Sequence, residues 1–327
     1  MQLDEVTAMT NPLVRTALRN SLAQVRHVRP VRTREGYTEV ERELGVLAPQ
    51  IALHSPAPEL LAASWTLLRE TLIANGKADR TTKEAVATIV ALGNDSQYLF
   101  ELHTAVLDAL AEARVLDDPD YDHRVRAVAD WARATRFRAT AAKRGLPEHA
   151  DELIGVLVAA HYLTRMANVF LPDSPFPGLP AAARTRALAL LGKALLPAAT
   201  ARHEPGAADP LFVAGAAFAS AGERSVPPAV RELVAAEMSK WDGGPVDRGW
   251  VDAAVRSLPF AERPAGRLAL LAALASTEVD DRVVEGFRIA APDDRTLVEL
   301  VSWASFAAAS AIGSWAANAR IPEPVGG

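Results

Sequence analysis

The chain contains no cysteine among its 327 residues. This absence excludes disulfides, thiolate metal sites and every cysteine nucleophile, and it leaves the redox compartment undetermined. Aromatic residues are also scarce, at 6%, whereas half of the chain is hydrophobic and rich in alanine and leucine. Because alanine has the highest helix propensity of any residue, we predict an all-α globular protein.

Positive charge is limited as well. The formal net charge of −5 provides no overall field for a polyanion, so we do not expect a nucleic acid partner. Residues 6–34 are a local exception, since they contain no acidic side chain and six arginines. We interpret this segment as an amphipathic helix that faces solvent or another subunit, with an anionic ligand or membrane surface as the alternative. The six are Arg15, Arg19, Arg26, Arg29, Arg32 and Arg34.

Long hydrophobic runs are nearly absent. Residues 300–319 carry no charge, but they contain four serines and an asparagine, and no basic flank precedes them. We therefore predict a buried helix and no membrane span.

The N-terminus carries Asp4 and Glu5 and lacks an apolar leader, which predicts a cytoplasmic protein. Thirty arginines against five lysines indicate a GC-rich bacterial genome.

Apolar residues repeat at helical spacing along most of the chain, and no segment has the period of a strand. We predict helices over 12–25, 61–75, 82–92, 99–110, 122–137, 149–171 and 181–199, with a short one over 38–44. Five glycine or proline residues within 172–180 predict a linker without a helix.

The second half of the sequence resembles the first. Residues 83–87, KEAVA, resemble residues 231–235, RELVA, at an offset of 148, and residues 151–154, DELI, resemble residues 298–301, VELV, at an offset of 147. Two matches at nearly one offset indicate duplication. The predicted architecture is a pair of tandem helical repeats packed as an intrachain pseudo-dimer.

Glu84 is followed twelve residues later by Ser96, then by Leu99 and His103. This spacing resembles the motif of the alkylhydroperoxidase D and carboxymuconolactone decarboxylase superfamily, a glutamate followed by Cys-x-x-Cys-x-x-x-His. Ser96 and Leu99 replace the two cysteines. The resemblance includes the helix that contains Trp65 and residues 160–166, and it implies the family's all-helical fold.

The resemblance implies a site in which, in typical members of the superfamily, two cysteines form a redox dithiol at a helix start. The glutamate and the histidine of the motif relay protons there. A chain without cysteine cannot run this thiol peroxidase chemistry. The lactone-decarboxylating branch suggests instead a cofactor-independent lyase, isomerase or cyclase that acts on a small organic substrate. The alternative is a non-catalytic ligand-binding or structural homologue. A small-molecule ligand or substrate is the expected partner, and the helical faces are compatible with a homo-oligomer.

The predicted domains are 1–29, a basic helix; 30–171, the repeat with the site; 172–207, the linker and a connecting helix; 208–320, a degenerate repeat; and 321–327, a tail. The second repeat has lost the site residues. Counterparts of Asn94, Ser96, Leu99 and His103 are Asp242, Gly244, Asp247 and Val251.

The candidate catalytic residues are Glu84, Ser96, Tyr98 and His103, because a carboxylate beside a histidine is the minimum apparatus for acid–base catalysis. Each has a structural alternative. Glu84 could complete a capping box with Thr81, Ser96 could cap a helix, His103 could be a core histidine, and Tyr98 could be a surface or interface aromatic.

The candidate substrate-binding residues are Trp65, Leu99, His161 and Arg165. Arg165 could bind a substrate carboxylate in the same pocket, and an internal salt bridge is the alternative. The seven histidines show no metal-binding spacing and no phosphate-binding glycine loop occurs, so no metal and no cofactor are predicted.

Overall fold

A computed structural model describes residues 22–31, 34–44, 48–113, 121–200 and 204–318. Over these ranges the chain forms fifteen α-helices and short 3₁₀ or π turns, with no strand, which confirms the all-α prediction. The predicted helix over 12–25 and the tail at 321–327 lie largely or wholly outside the described residues.

The helices of the first half, in chain order, are α1 (Arg34–Leu44), α2 (Pro49–Ala52), α3 (Pro58–Leu68), α4 (Arg80–Gly93), α5 (Gln97–Ala113), α6 (Tyr121–Ala134), α7 (Arg138–Ala141) and α8 (Ala150–Phe170). The connecting helix is α9 (Ala181–Thr200). The second half contains α10 (Pro210–Ser225), α11 (Pro228–Lys240), α12 (Arg248–Ala254), α13 (Arg263–Leu274), α14 (Asp281–Arg288) and α15 (Asp294–Ala317).

Local sequence explains where several of these helices begin. Asp79, Asp209 and Asp293 each precede a helix, and each carboxylate accepts hydrogen bonds from backbone N–H groups of the first turn. Pro58 opens α3, where its missing N–H costs nothing. The predicted helices over 82–92, 149–171 and 181–199 match the observed bounds of α4, α8 and α9 within two residues.

The core is centred on α8 and α15, which pack against each other. Both are apolar around most of their circumference, as expected for helices covered on several sides. Helices α4 and α5 pack beside α8, and α10 and α13 pack beside α15. Helix α3 contacts α10, so elements of both halves share one core.

Two buried or partly buried glutamates at repeat-related positions support the duplication. The Glu152 carboxylate accepts from the backbone N–H of Lys77, at 2.7 Å, in the segment before α4. The Glu299 carboxylate is bonded by Arg224 and Ser225, just before α11. Lys77 and Ser225 are separated by the same 148-residue offset, so the two glutamates reach corresponding segments, although one bonds a backbone N–H and the other bonds side chains. The pseudo-dimer itself stays a prediction.

The predicted linker contains no helix over 171–180, and α9 then packs along α5. Among the described helices, α8 and α15 are long and apolar enough to cross a membrane by length and composition. Within the apolar windows, 89% of α8 and 67% of α15 is buried inside the protein. This burial is what core helices show.

Candidate functional site

Helices α4 and α5 bring Glu84 and His103 together. The Nδ1 atom of His103 lies 2.7 Å from Oε2 of Glu84. The guanidinium of Arg80, one turn earlier on α4, donates to the other carboxylate oxygen from Nε and Nη2, at 2.9 and 2.6 Å. We call these three residues the α4–α5 triad. Glu84 is 1% exposed, and the His103 side chain is 10% exposed.

Electrostatics fix the ionisation of Glu84. Burial alone raises the pKa of this carboxyl group, but the charges of Arg80 and His103 and their hydrogen bonds outweigh burial and lower its pKa to about 2. The carboxylate is therefore ionised at neutral pH. In the neutral form of His103 the Nδ1–H donates to Glu84 and the lone pair is on Nε2, whereas in the protonated form both nitrogens carry a proton. No described residue bonds to Nε2.

The capping-box alternative for Glu84 is wrong. The residue that caps α4 is Asp79, whose carboxylate accepts from the backbone N–H of Thr82 at 2.8 Å. Both Glu84 oxygens are engaged with Arg80 and His103 instead. Sequence reasoning missed Arg80, although an arginine four residues before a glutamate on a helix is a recognisable pairing signal.

The positions of the two motif cysteines are closed to solvent. Ser96 and Leu99 are each 1% exposed, and the Ser96 hydroxyl has no hydrogen-bond partner among the described residues. The proposed capping role of Ser96 is therefore wrong. Tyr98 and Trp65 are also buried. The surface alternative for Tyr98 is therefore wrong, and the interface alternative stays a prediction. Burial raises the pKa of the Tyr98 phenol. Tyr98 contributes to the wall of a separate cavity of about 310 Å³.

A second polar cluster joins the end of α4 to α8. The side-chain amide of Asn94 donates to Nδ1 of His161, at 2.9 Å, and to the hydroxyl of Thr164, at 2.7 Å. Arg165 donates from Nη1 to the carbonyl oxygen of His161 and lies 3.1 Å from the same Nδ1. We call Asn94, His161 and Arg165 the α8 cluster. Asn94 was not among the predicted site residues, since nothing in the sequence shows that it reaches α8.

The salt-bridge alternative for Arg165 is also wrong. Its side chain is buried, Nε donates to the carbonyl oxygen of Ala273 at 2.8 Å, and no carboxylate in the described part of the chain pairs with it. Burial and the nearby charge of Arg136 lower the pKa of Arg165 to about 10. Burial and both arginines lower the pKa of His161 well below its usual value, so its ring is neutral.

The triad and the cluster are separate places. Glu84 lies ten residues before Asn94, which is about 15 Å along a helix axis. The α8 cluster lines a cavity of about 220 Å³, and neither Glu84 nor His103 belongs to its wall. The expectation that Arg165 shares a pocket with the acid–base pair therefore does not hold.

The described part of the second half of the chain carries no copy of the triad. Glu232, the sequence counterpart of Glu84, is exposed, Asp247 caps α12, and Val251 is fully buried in the core. Within the described ranges, no group of three or more histidine, aspartate or glutamate side chains is arranged to hold a metal ion.

Comparison with known proteins gives one informative relationship. No family model matches the chain, and no solved structure gives a significant match. Among curated proteins, the chain is 30% identical to alkyl hydroperoxide reductase Rv2159c of Mycobacterium tuberculosis, over 332 aligned residues that cover 89% of this chain and 94% of that protein. Similarity of this extent, together with the helical fold and the spacing of Glu84 and His103, shows that the chain belongs to the alkylhydroperoxidase D-like family, as a member without cysteine.

Proposed function

We propose that this protein has lost the thiol peroxidase activity of its family and works as a cofactor-independent acid–base enzyme of lyase, isomerase or cyclase type on a small organic substrate. The observation that carries the proposal is the 2.7 Å hydrogen bond between His103 and an ionised Glu84. The absence of cysteine removes the dithiol route, and the family's two proton-relaying side chains are retained in contact.

The pair has the properties of a general base. Glu84 holds Nδ1 of His103 in its protonated form and stabilises the positive charge that develops when Nε2 accepts a proton. Arg80 keeps Glu84 ionised, so the carboxylate orients the ring and does not itself take up the proton. We therefore propose that His103 removes a proton next to a carbonyl group and returns it to another atom of the same substrate. Arg80 and Glu84 are positioning residues in this scheme.

Exchange of a substrate C–H with deuterium in D2O tests the proposal without knowledge of the product. Lactones and keto acids would be incubated with the protein and followed by proton NMR. We expect at least one compound to lose signal, and His103→Gln to reduce the exchange rate by about 100-fold or more, the usual contribution of a general base. His123→Gln is the matched control, because His123 is an exposed histidine on α6 outside both polar groups. Unchanged exchange in His103→Gln would remove His103 from the mechanism.

A second candidate is a non-catalytic ligand-binding homologue. It is favoured by the closure of the former thiol positions, where Ser96 and Leu99 are each 1% exposed. In that case the wild-type protein would catalyse no exchange with any compound of the panel. This outcome would replace the enzymatic proposal with the binding one.

The cellular setting is also a proposal. The bacterial relative and the burial of α8 and α15 support a bacterial protein of the cytoplasm. The negative net charge disfavours nucleic acid as a partner. A homo-oligomer is the assembly to look for, and sedimentation of the purified protein would detect it.

A further inference from the structure

The cavity beside the α8 cluster lies between the two halves of the chain. One wall is the loop that ends α4, at 93–95, and the facing wall is the loop after α11, at 243–246. At the 148-residue offset, 93–95 corresponds to 241–243, so the two loops overlap as counterparts at Asp95 and Gly243. Gly243 lets the second of these loops approach the backbone of Arg136, since its φ of +96° suits glycine and an added Cβ would collide with the carbonyl oxygen of Arg136.

The polar end of this cavity contains hydrogen-bond donors that no described residue satisfies. Nδ1 of His161 receives hydrogen bonds from Asn94 and Arg165, so the proton of this neutral ring must be on Nε2. Nε2 is buried and has no partner among the described residues. Arg165 uses Nε and Nη1 in bonds within the protein, while no described atom accepts from Nη2.

The positive charge in this part of the cavity wall is also uncompensated. Arg165 is 5% exposed and is not paired with any described carboxylate, and the half-buried Arg136 lines the same cavity. Two carboxylates reach the wall, but Glu278 is bound by Arg248 at 2.8 Å, and Asp95 is exposed at the α4–α5 loop. A buried guanidinium without an anion is costly to maintain, so an anion that enters the cavity would relieve both the charge and the unused donors.

Another part of the cavity wall is apolar. Trp241, Leu274 and Ile312 contribute to the wall, and Trp241 packs against Trp315 with ring centroids 5.3 Å apart. A volume of about 220 Å³ exceeds that of several water molecules. We infer that this cavity binds a small organic carboxylate, with its carboxylate on Arg165 and the Nε2–H of His161 and its apolar body against Trp241. This site goes beyond the proposed function, because it contains neither Glu84 nor His103.

Benzoate and pentanoate are suitable probes of this site, one with an aromatic body and one with an aliphatic body. Thermal unfolding of the full chain would be followed at constant ionic strength as each acid is added. We expect a saturable rise in Tm with at least one acid, since a ligand of the folded state stabilises it by mass action. Benzamide has the same ring without the charge, and we expect it to give no rise.

Arg165→Met should weaken the binding by about tenfold or more, because it removes the charge-assisted hydrogen bonds to the carboxylate. Arg256→Met is the matched control, since Arg256 is an exposed arginine away from the cavity, and it should bind like the parent. If Arg165→Met does not fold, Ala275→Phe decides, because the ring would occupy the cavity while Arg165 stays in place.

The inference is overturned if neither acid gives a saturable rise, if benzamide gives an equal one, or if the folded Arg165→Met or Ala275→Phe variant binds as the parent does. Loss of carboxylate binding would leave deuterium exchange by His103 untouched, and loss of exchange in His103→Gln would leave carboxylate binding untouched. The two proposals therefore fail separately.

Discussion

Glu84 and Arg165 are both buried charged side chains, but their surroundings differ in one respect. Glu84 is bonded by two potential cations, Arg80 and His103, whereas Arg165 is bonded by backbone carbonyls and a neutral ring. A buried charge that is paired is compatible with a stable fold, and the removal of one partner destabilises the protein because the other charge is left buried and unpaired. A buried charge without a counterion can instead be neutralised by a ligand of opposite charge.

Glu84→Gln tests how much the α4–α5 triad contributes to the stability of the protein. The change keeps the shape of the side chain and removes the charge that both neighbours use, so we expect the free energy of unfolding to fall by about 3 kcal/mol. Urea denaturation would measure it. Glu232→Gln is the matched control at the repeat-related position, where the side chain is exposed, and should change stability by less than about 0.5 kcal/mol. Equal effects of the two changes would contradict the pairing described for Glu84.

His54 predicts a pH dependence of stability. Its ring is fully buried, with Nε2 2.7 Å from the hydroxyl of Tyr162, and burial lowers its pKa from 6.5 to about 4. Between these values the unfolded chain binds a proton that the folded chain does not. Stability is therefore complete above pH 6.5 and falls as the pH drops towards 4, by on the order of 3 kcal/mol for this residue. His161 acts in the same direction.

Urea midpoints measured between pH 7 and about pH 4 would show this fall. His54→Gln cannot take up the proton, so its stability should depend less on pH over the same interval, whatever its stability at pH 7. A midpoint that stays constant in the wild-type protein would mean that His54 is not held neutral in the folded state.

At the scale of elements, most helices could be predicted from sequence because their signals are local. The aspartates before α10 and α15, the proline at the start of α3 and the spacing of apolar residues each act within a few residues. The interpretations of single side chains were wrong where a side chain could bond either a residue of its own helix or a residue of another helix. Glu84 was compatible with capping by sequence alone, and only the packing of α4 against α5 shows that it bonds His103.

The start of α5 offers a test of the family relationship at this scale. The double variant Ser96→Cys, Leu99→Cys would restore two thiols three residues apart at a helix start, which suits disulfide formation and thiolate stabilisation. Under mild oxidation we expect a loss of about two hydrogens in the mass of the intact protein. The single-cysteine variants are controls and should not lose this mass. Two thiols that stay reduced in a folded double variant would show that the geometry around α5 differs from that of the family motif.

At the scale of the whole molecule, the two halves meet through α8 and α15, and the loops at 93–95 and 243–246 line one cavity. The sequence predicts a duplication, which stays a prediction, and it shows directly that the second half lacks the motif residues. It could not predict that both loops line one cavity, because this depends on how the halves are oriented. Nor could it show that Arg165 lacks a carboxylate partner, since that depends on every residue packed around it.

The most direct test of the central claim is a hydroperoxide reductase assay on the purified wild-type protein. The relative from Mycobacterium tuberculosis is described as an alkyl hydroperoxide reductase, and the present chain has its fold family but no thiol. With alkyl hydroperoxides and any dithiol reductant, we predict no turnover above the rate of the reductant alone. Enzyme-dependent turnover that scales with protein concentration would contradict the claim that this member has lost the peroxidase activity of its family.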